Sequence, residues 1–118
     1  MPDAIDKILD QIKAFNAENA SLEKGDDDGQ GFPTVGPPGH ADCYKGQRES
    51  MKILIKIWKK KVAALKTAND PNPEYNAAKA LQASFKGVST ELQACLKRPG
   101  HKWDTSKMGG ILTKSENV

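Results

Sequence analysis

The sequence predicts an all-α protein: an amphipathic N-terminal helix, a long antiparallel αα-hairpin forming a small helical bundle, and an irregular C-terminal tail. Three observations predict it. Apolar residues recur at helical spacing in three segments. The second and third of these are separated by Asn69-Asp70-Pro71-Asn72-Pro73, a stretch that stops a helix because each proline forces extended backbone on the residue before it. The two cysteines lie almost symmetrically about that turn, Cys43 about 26 residues before its middle and Cys95 about 25 after it, so two antiparallel helices rising about 1.5 Å per residue bring them to one height. The chain then divides into residues 1–24 (helix), 25–39 (linker), 40–103 (hairpin core) and 104–118 (tail).

The first helix is expected over residues 3–22. Pro2 and Asp3 suit a first turn, where a missing N–H is harmless and negative charge meets the helix dipole. Ile5, Ile8, Leu9, Ile12 and Phe15 make one apolar stripe, and Asp6, Asp10, Lys13 and Asn16 make the opposite face. Such a stripe must pack on the hairpin or on a second copy of the chain. Residues 25–39 hold five glycines, three prolines and Asp26, Asp27 and Asp28, a composition that favours a solvated acidic loop. A calcium loop of the EF type fails here, because the twelfth position counted from Asp26 is Pro37 where a glutamate is required.

The second helix is expected to begin between Asp42 and Gly46 and to run to Thr67. Met51, Leu54, Ile55, Trp58, Val62 and Leu65 form its inner face, which Ile53 and Ile57 widen. Lys45, Arg48, Lys52, Lys56, Lys59 and Lys60 supply a basic face. The third helix is expected over residues 73–96, with Pro73 in its first turn and Pro99 beyond its end. Ala78, Leu81, Phe85, Val88, Leu92 and Cys95 alternate steps of three and four, the spacing of a packed seam. Gly87 within that run costs about 1 kcal/mol relative to alanine, so it marks a close approach or a bend. The tail lacks a long periodic pattern. Its Trp103, Met108, Ile111 and Leu112 are candidates to cover the open end of the bundle or to form a short helix or hairpin, and residues 115–118 are expected to fray.

At 118 residues, with hydrophobic residues at 37% and a mean hydropathy of −0.64, the core is expected to be small and confined to a few helix faces, where a staple or a partner helps. No apolar run approaches the ~20 residues of a membrane span. The start, Met1-Pro2-Asp3-Ala4-Ile5-Asp6, is acidic and has no signal-peptide form, so the expectation is a cytoplasmic protein, or one exported by a specialised secretion system that needs no such signal. The net charge of +3 hides an acidic front and a basic middle: between Tyr44 and Ala68 seven lysines and Arg48 face only Glu49.

Two chemistries follow. His40, Cys43, Cys95 and His101 converge on the open end of the hairpin, both histidines on turn backbone just outside the helices. They make a candidate zinc set of two imidazoles and two thiolates, zinc being the one cofactor the sequence suggests. The same placement equally permits a Cys43–Cys95 disulfide or two free thiols. As an enzyme, the chain offers Cys43 near a helix N-terminus with His101 as its base, or His101 with Asp104 and Lys107. Phosphate loops, paired catalytic carboxylates and serine elbows are absent from the sequence. The basic face is the stronger signal: Lys45, Arg48, Lys52, Lys56, Lys59 and Lys60 suit an acidic protein partner or, less well for want of interleaved aromatics, nucleic acid, and the bland alternative is a solvated helix face.

The Gly39-His40-x-Asp42-Cys43 opening, the charged hairpin and the later Cys95 resemble the small helical domains at the C-terminal ends of bacterial polymorphic toxins. That resemblance implies a secreted effector, with hydrolase or nuclease activity, and an acidic immunity partner; it carries over no catalytic residue. From the residues themselves the expected function is a small non-enzymatic interaction module, able to form homo-oligomers through its broad apolar faces.

Overall fold

The computed structural model describes residues 4–23 and 40–118, with side chains for residues 4–17 and 40–118. The expected acidic linker and its three aspartates, like Pro2 and Asp3, lie outside the described residues. Within them the protein is all-α, with helices α1 (Ala4–Glu23), α2 (His40–Thr67), α3 (Pro73–Ala80), α4 (Gln82–Lys97) and α5 (Thr105–Glu116).

The α1 stripe folds onto the hairpin. Ile5, Ile8 and Ile12 are buried, and the helix lies against α3 and, more lightly, α4. The inner face of α2 forms the middle of the core: Met51, Leu54, Ile55, Trp58 and Val62 are all buried. The helix ends where Asn69 enters left-handed backbone at φ 62°, with Asp70 N–H donating to the Leu65 carbonyl (2.9 Å) and Asn69 N–H to Lys66 (3.0 Å). This is a Schellman cap, with asparagine where glycine is commoner. Asp70 then accepts from the Asn72 N–H and the Asn76 side chain, both at 2.8 Å, holding the turn that starts α3. Trp58 Nε1 donates to the Glu74 carbonyl (3.1 Å) and ties the two arms of the hairpin together.

Two features differ from the expected helices. The single third helix is bent at Leu81, whose N–H is shared between the carbonyls of Ala77 and Ala78, both at 3.2 Å. Leu81 is fully buried, and the bend separates α3, which carries most of the contact with α1, from α4, which runs back along α2. The tail is helical as α5, in place of the irregular segment expected, and residues 115 and 116 belong to it. Asp104 caps this helix, its carboxylate accepting from the Lys107 N–H (3.2 Å) and the Ser106 hydroxyl (2.7 Å). Met108 and Ser115 face inward onto α2 and α4, and the Ser115 hydroxyl meets that of Ser84.

Candidate functional site

Two regions hold the residues singled out by the sequence. The first is the open end of the hairpin. Cys43 and Cys95 form a disulfide, S–S 2.05 Å with Cα atoms 5.8 Å apart, and both residues are fully buried. The equal-height expectation therefore holds. The bond uses both sulfurs, so of the four-residue zinc set only two imidazoles remain in this arrangement. No group of three or more His, Cys, Asp or Glu able to hold a metal occurs among the described residues. The imidazoles do meet: His40 and His101 pack edge to face with centroids 4.4 Å apart. His40 opens α2 rather than preceding it, whereas His101 sits on the expected turn. Pro99 ends the helical path, Gly100 and His101 follow with φ of 84° and 48°, and the His101 N–H donates to Arg98 (3.1 Å). This reversal lays the His101 carbonyl 3.5 Å from the Cys43 sulfur.

Two of the residues named for an enzyme are occupied otherwise. Cys43 is bonded through sulfur, and Asp104 is the cap of α5. The Ser106 hydroxyl first, then the Lys107 N–H, hold the Asp104 carboxyl below the usual range; burial opposes them, and the charge of Arg98 adds a smaller lowering. Sequence reasoning missed Glu91, which is 1% exposed and takes the inward place expected of Leu92. Arg98 forks onto its carboxylate, Nη1 to Oε1 at 2.5 Å and Nη2 to Oε2 at 3.1 Å, while the Asp104 N–H reaches Oε1 at 3.3 Å. The hydrogen bond to Glu91, more than the carboxylate charge alone, raises the Arg98 pKa further above its ordinary value, so the guanidinium stays charged. The signal was present: positions seven apart share a helix face, and Arg98 follows Glu91 by seven. Together these groups fasten the turn between α4 and α5.

The second region is the outer face of α2. Lys45, Lys56, Lys59 and Lys60 are exposed and Lys52 is half-buried. Arg48 departs from the expected face: it is only 7% exposed, because its position falls on the side of α2 that turns inward. Among the described residues none of the five lysines is paired with a carboxylate. Beside them runs an open groove of about 1080 Å³ between the second half of α2 and the end of α5. Ile53, Ile57, Ala64 and Leu65 line it on the α2 side, with Lys56, Lys60 and Lys61, and Glu116, Asn117 and Val118 on the other. Among the described residues no helix is long and apolar enough to cross a membrane.

Compared with known proteins, the chain matches no family model, no curated protein and no solved structure.

Proposed function

We propose that this chain is a small, disulfide-stapled interaction module whose outer α2 face binds an acidic partner protein. One observation carries the reading: Lys45, Lys52, Lys56, Lys59 and Lys60 share one side of a single helix, and none of them is ion-paired with a carboxylate among the described residues. Like charges a turn apart repel by a few tenths of a kcal/mol per pair, and a carboxylate-bearing partner relieves that repulsion on binding. The buried bridge ties the start of this helix to the end of α4 and supports placing the module in an oxidising compartment, where such bonds persist.

The test is affinity capture from the cells that make the protein, with wild type and a Lys52→Glu/Lys56→Glu/Lys59→Glu/Lys60→Glu variant as baits. Circular dichroism checks that the variant keeps its helix content. The expected result is an acidic protein held by the wild type, resistant to nuclease, weakened by salt and lost from the variant. Equal capture by both baits, or capture abolished by nuclease, would overturn the reading.

A further inference from the structure

Ile53 is 39% exposed and Val118 53%, and these two, the large apolar side chains left in solvent among the described residues, lie on the same groove. Ile53, Ile57 and Ala64 follow one another at helical spacing, with Lys56 and Lys60 to one side of the row and Lys61 and Leu65 to the other. From Ile53 to Ala64 the row is about 16 Å long at 1.5 Å per residue. Its long wall is α2, whose backbone groups are already bonded within the helix, so along that wall the groove offers no edge to which an extended strand could add. An occupant must satisfy its own N–H and C=O groups while presenting apolar side chains, and a helix does both.

The rim then sets the chemistry of that helix. Lys56 and Lys60 call for carboxylates on one flank, while the other holds both Lys61 and Glu116 and so sets no demand for charge of either sign. A phosphate backbone fits neither the isoleucine floor nor the Glu116 wall. A second copy docked antiparallel on this groove would set lysine against lysine. Resting on the reading of the lysine face given above, we propose that the groove receives an amphipathic helix of about three turns from an acidic partner. Its apolar stripe seats on Ile53, Ile57 and Ala64 with Leu65 beside them, its carboxylates face Lys56 and Lys60, and its side toward Lys61 and Glu116 is neutral.

The test uses the full chain and labelled 16-residue synthetic helices followed by fluorescence anisotropy. One carries leucine at i, i+4, i+7 and i+11 with glutamates on one flank and glutamines on the other. A second has the same composition scrambled so that no stripe forms, and a third replaces glutamate with lysine. The striped acidic peptide is expected to bind at least tenfold more tightly than either control. Ile53→Asp, at an exposed position that leaves the core intact, should weaken it at least tenfold with an unchanged unfolding midpoint, and Lys56→Glu/Lys60→Glu should do likewise. Equal binding of striped and scrambled peptides, insensitive to Ile53→Asp but lost with the lysines, would overturn the groove while leaving the acidic-partner reading standing. The groove also falls if the striped peptide does not bind, if vesicles of mixed neutral and anionic phospholipid compete for Ile53, or if sedimentation finds a dimer that Ile53→Asp dissociates. The capture experiment then judges the broader reading separately.

Discussion

A buried carboxylate in a small core must have its charge met, and Glu91 is met by the Arg98 fork and by the Asp104 N–H. Removing Arg98 leaves that carboxylate stranded, which is costlier than removing both members of the pair. Arg98→Ala should therefore lower the thermal midpoint by several degrees more than Glu91→Gln/Arg98→Ala, as read by circular dichroism; equal losses would mean that the fork adds nothing. Asp104 makes the corresponding pH prediction. Its carboxyl titrates lower in the folded protein than in the open chain. Its contribution is therefore complete above the ordinary aspartate value of about 3.9 and disappears as pH falls through the lower folded value. Thermal midpoints taken down from about pH 5 should fall less steeply in Asp104→Asn than in wild type, the difference lying below about pH 4. Neither role was legible from a seam drawn by steps of three and four, which put apolar Leu92 inward and passed over its acidic neighbour. Of the basic residues on α2, Arg48 is buried although it keeps steps of three and four from Lys45 and Lys52, because it falls at the edge of that face where the helix turns toward the core.

At the scale of elements, two glycines separate a rigid contact from a yielding one. A β-carbon on Gly46 of α2 would run into the Trp103 ring and lie within 2.7 Å of the Trp103 β-carbon. On Gly87 of α4 it would meet only the tip of Ile111, at 2.8 Å. Gly46→Ala should lose about 1–3 kcal/mol to overpacking, more than the helix preference of alanine, about 1 kcal/mol, restores. Gly87→Ala should fall within about 0.5 kcal/mol of wild type, since Ile111 can turn aside and the same preference compensates. Urea midpoints at constant slope measure both, and a Gly87 loss as large as that of Gly46 would show α5 seated more rigidly than the contact implies. The close approach at Gly87 was one of two meanings its place in a helix allowed; the bend occurs instead at Leu81, unmarked because neither proline nor glycine stands there. The hairpin was legible because its two prolines and its apolar period agree. Helix α5 was not: Met108, Ile111, Leu112 and Ser115 keep helical spacing, but Gly109 and Gly110 interrupt it with two poor helix formers and Ser115 is polar. Packing on α2 and α4, together with the Asp104 cap, supplies what local preference withholds.

Over the whole molecule, the Cys43–Cys95 bond joins the start of α2 to the end of α4 across a separation of 52 residues. Its position was legible as helix arithmetic, whereas the choice among bridge, metal and free thiols was not, because spacing sets where the sulfurs are and says nothing of their redox state. By loop-closure entropy a bridge of this span restricts the unfolded chain by about 4 kcal/mol, a model-dependent figure. Much of that should survive as net stability, since the helices meet through Leu54, Phe85 and Val88 and the bridge only fastens an end already packed. A Cys43→Ser/Cys95→Ser variant should therefore fold to the same helix content but melt roughly 10–20 °C lower by calorimetry. Both cysteines are fully buried, so a thiol reductant must wait for the chain to open before it reaches them. Reduction of the native protein should accordingly be slow and should accelerate with urea in step with unfolding, followed by mass after alkylation. Rapid reduction without denaturant, or a serine variant that melts with the wild type, would mean that the end of the hairpin opens freely and that packing alone holds the bundle together.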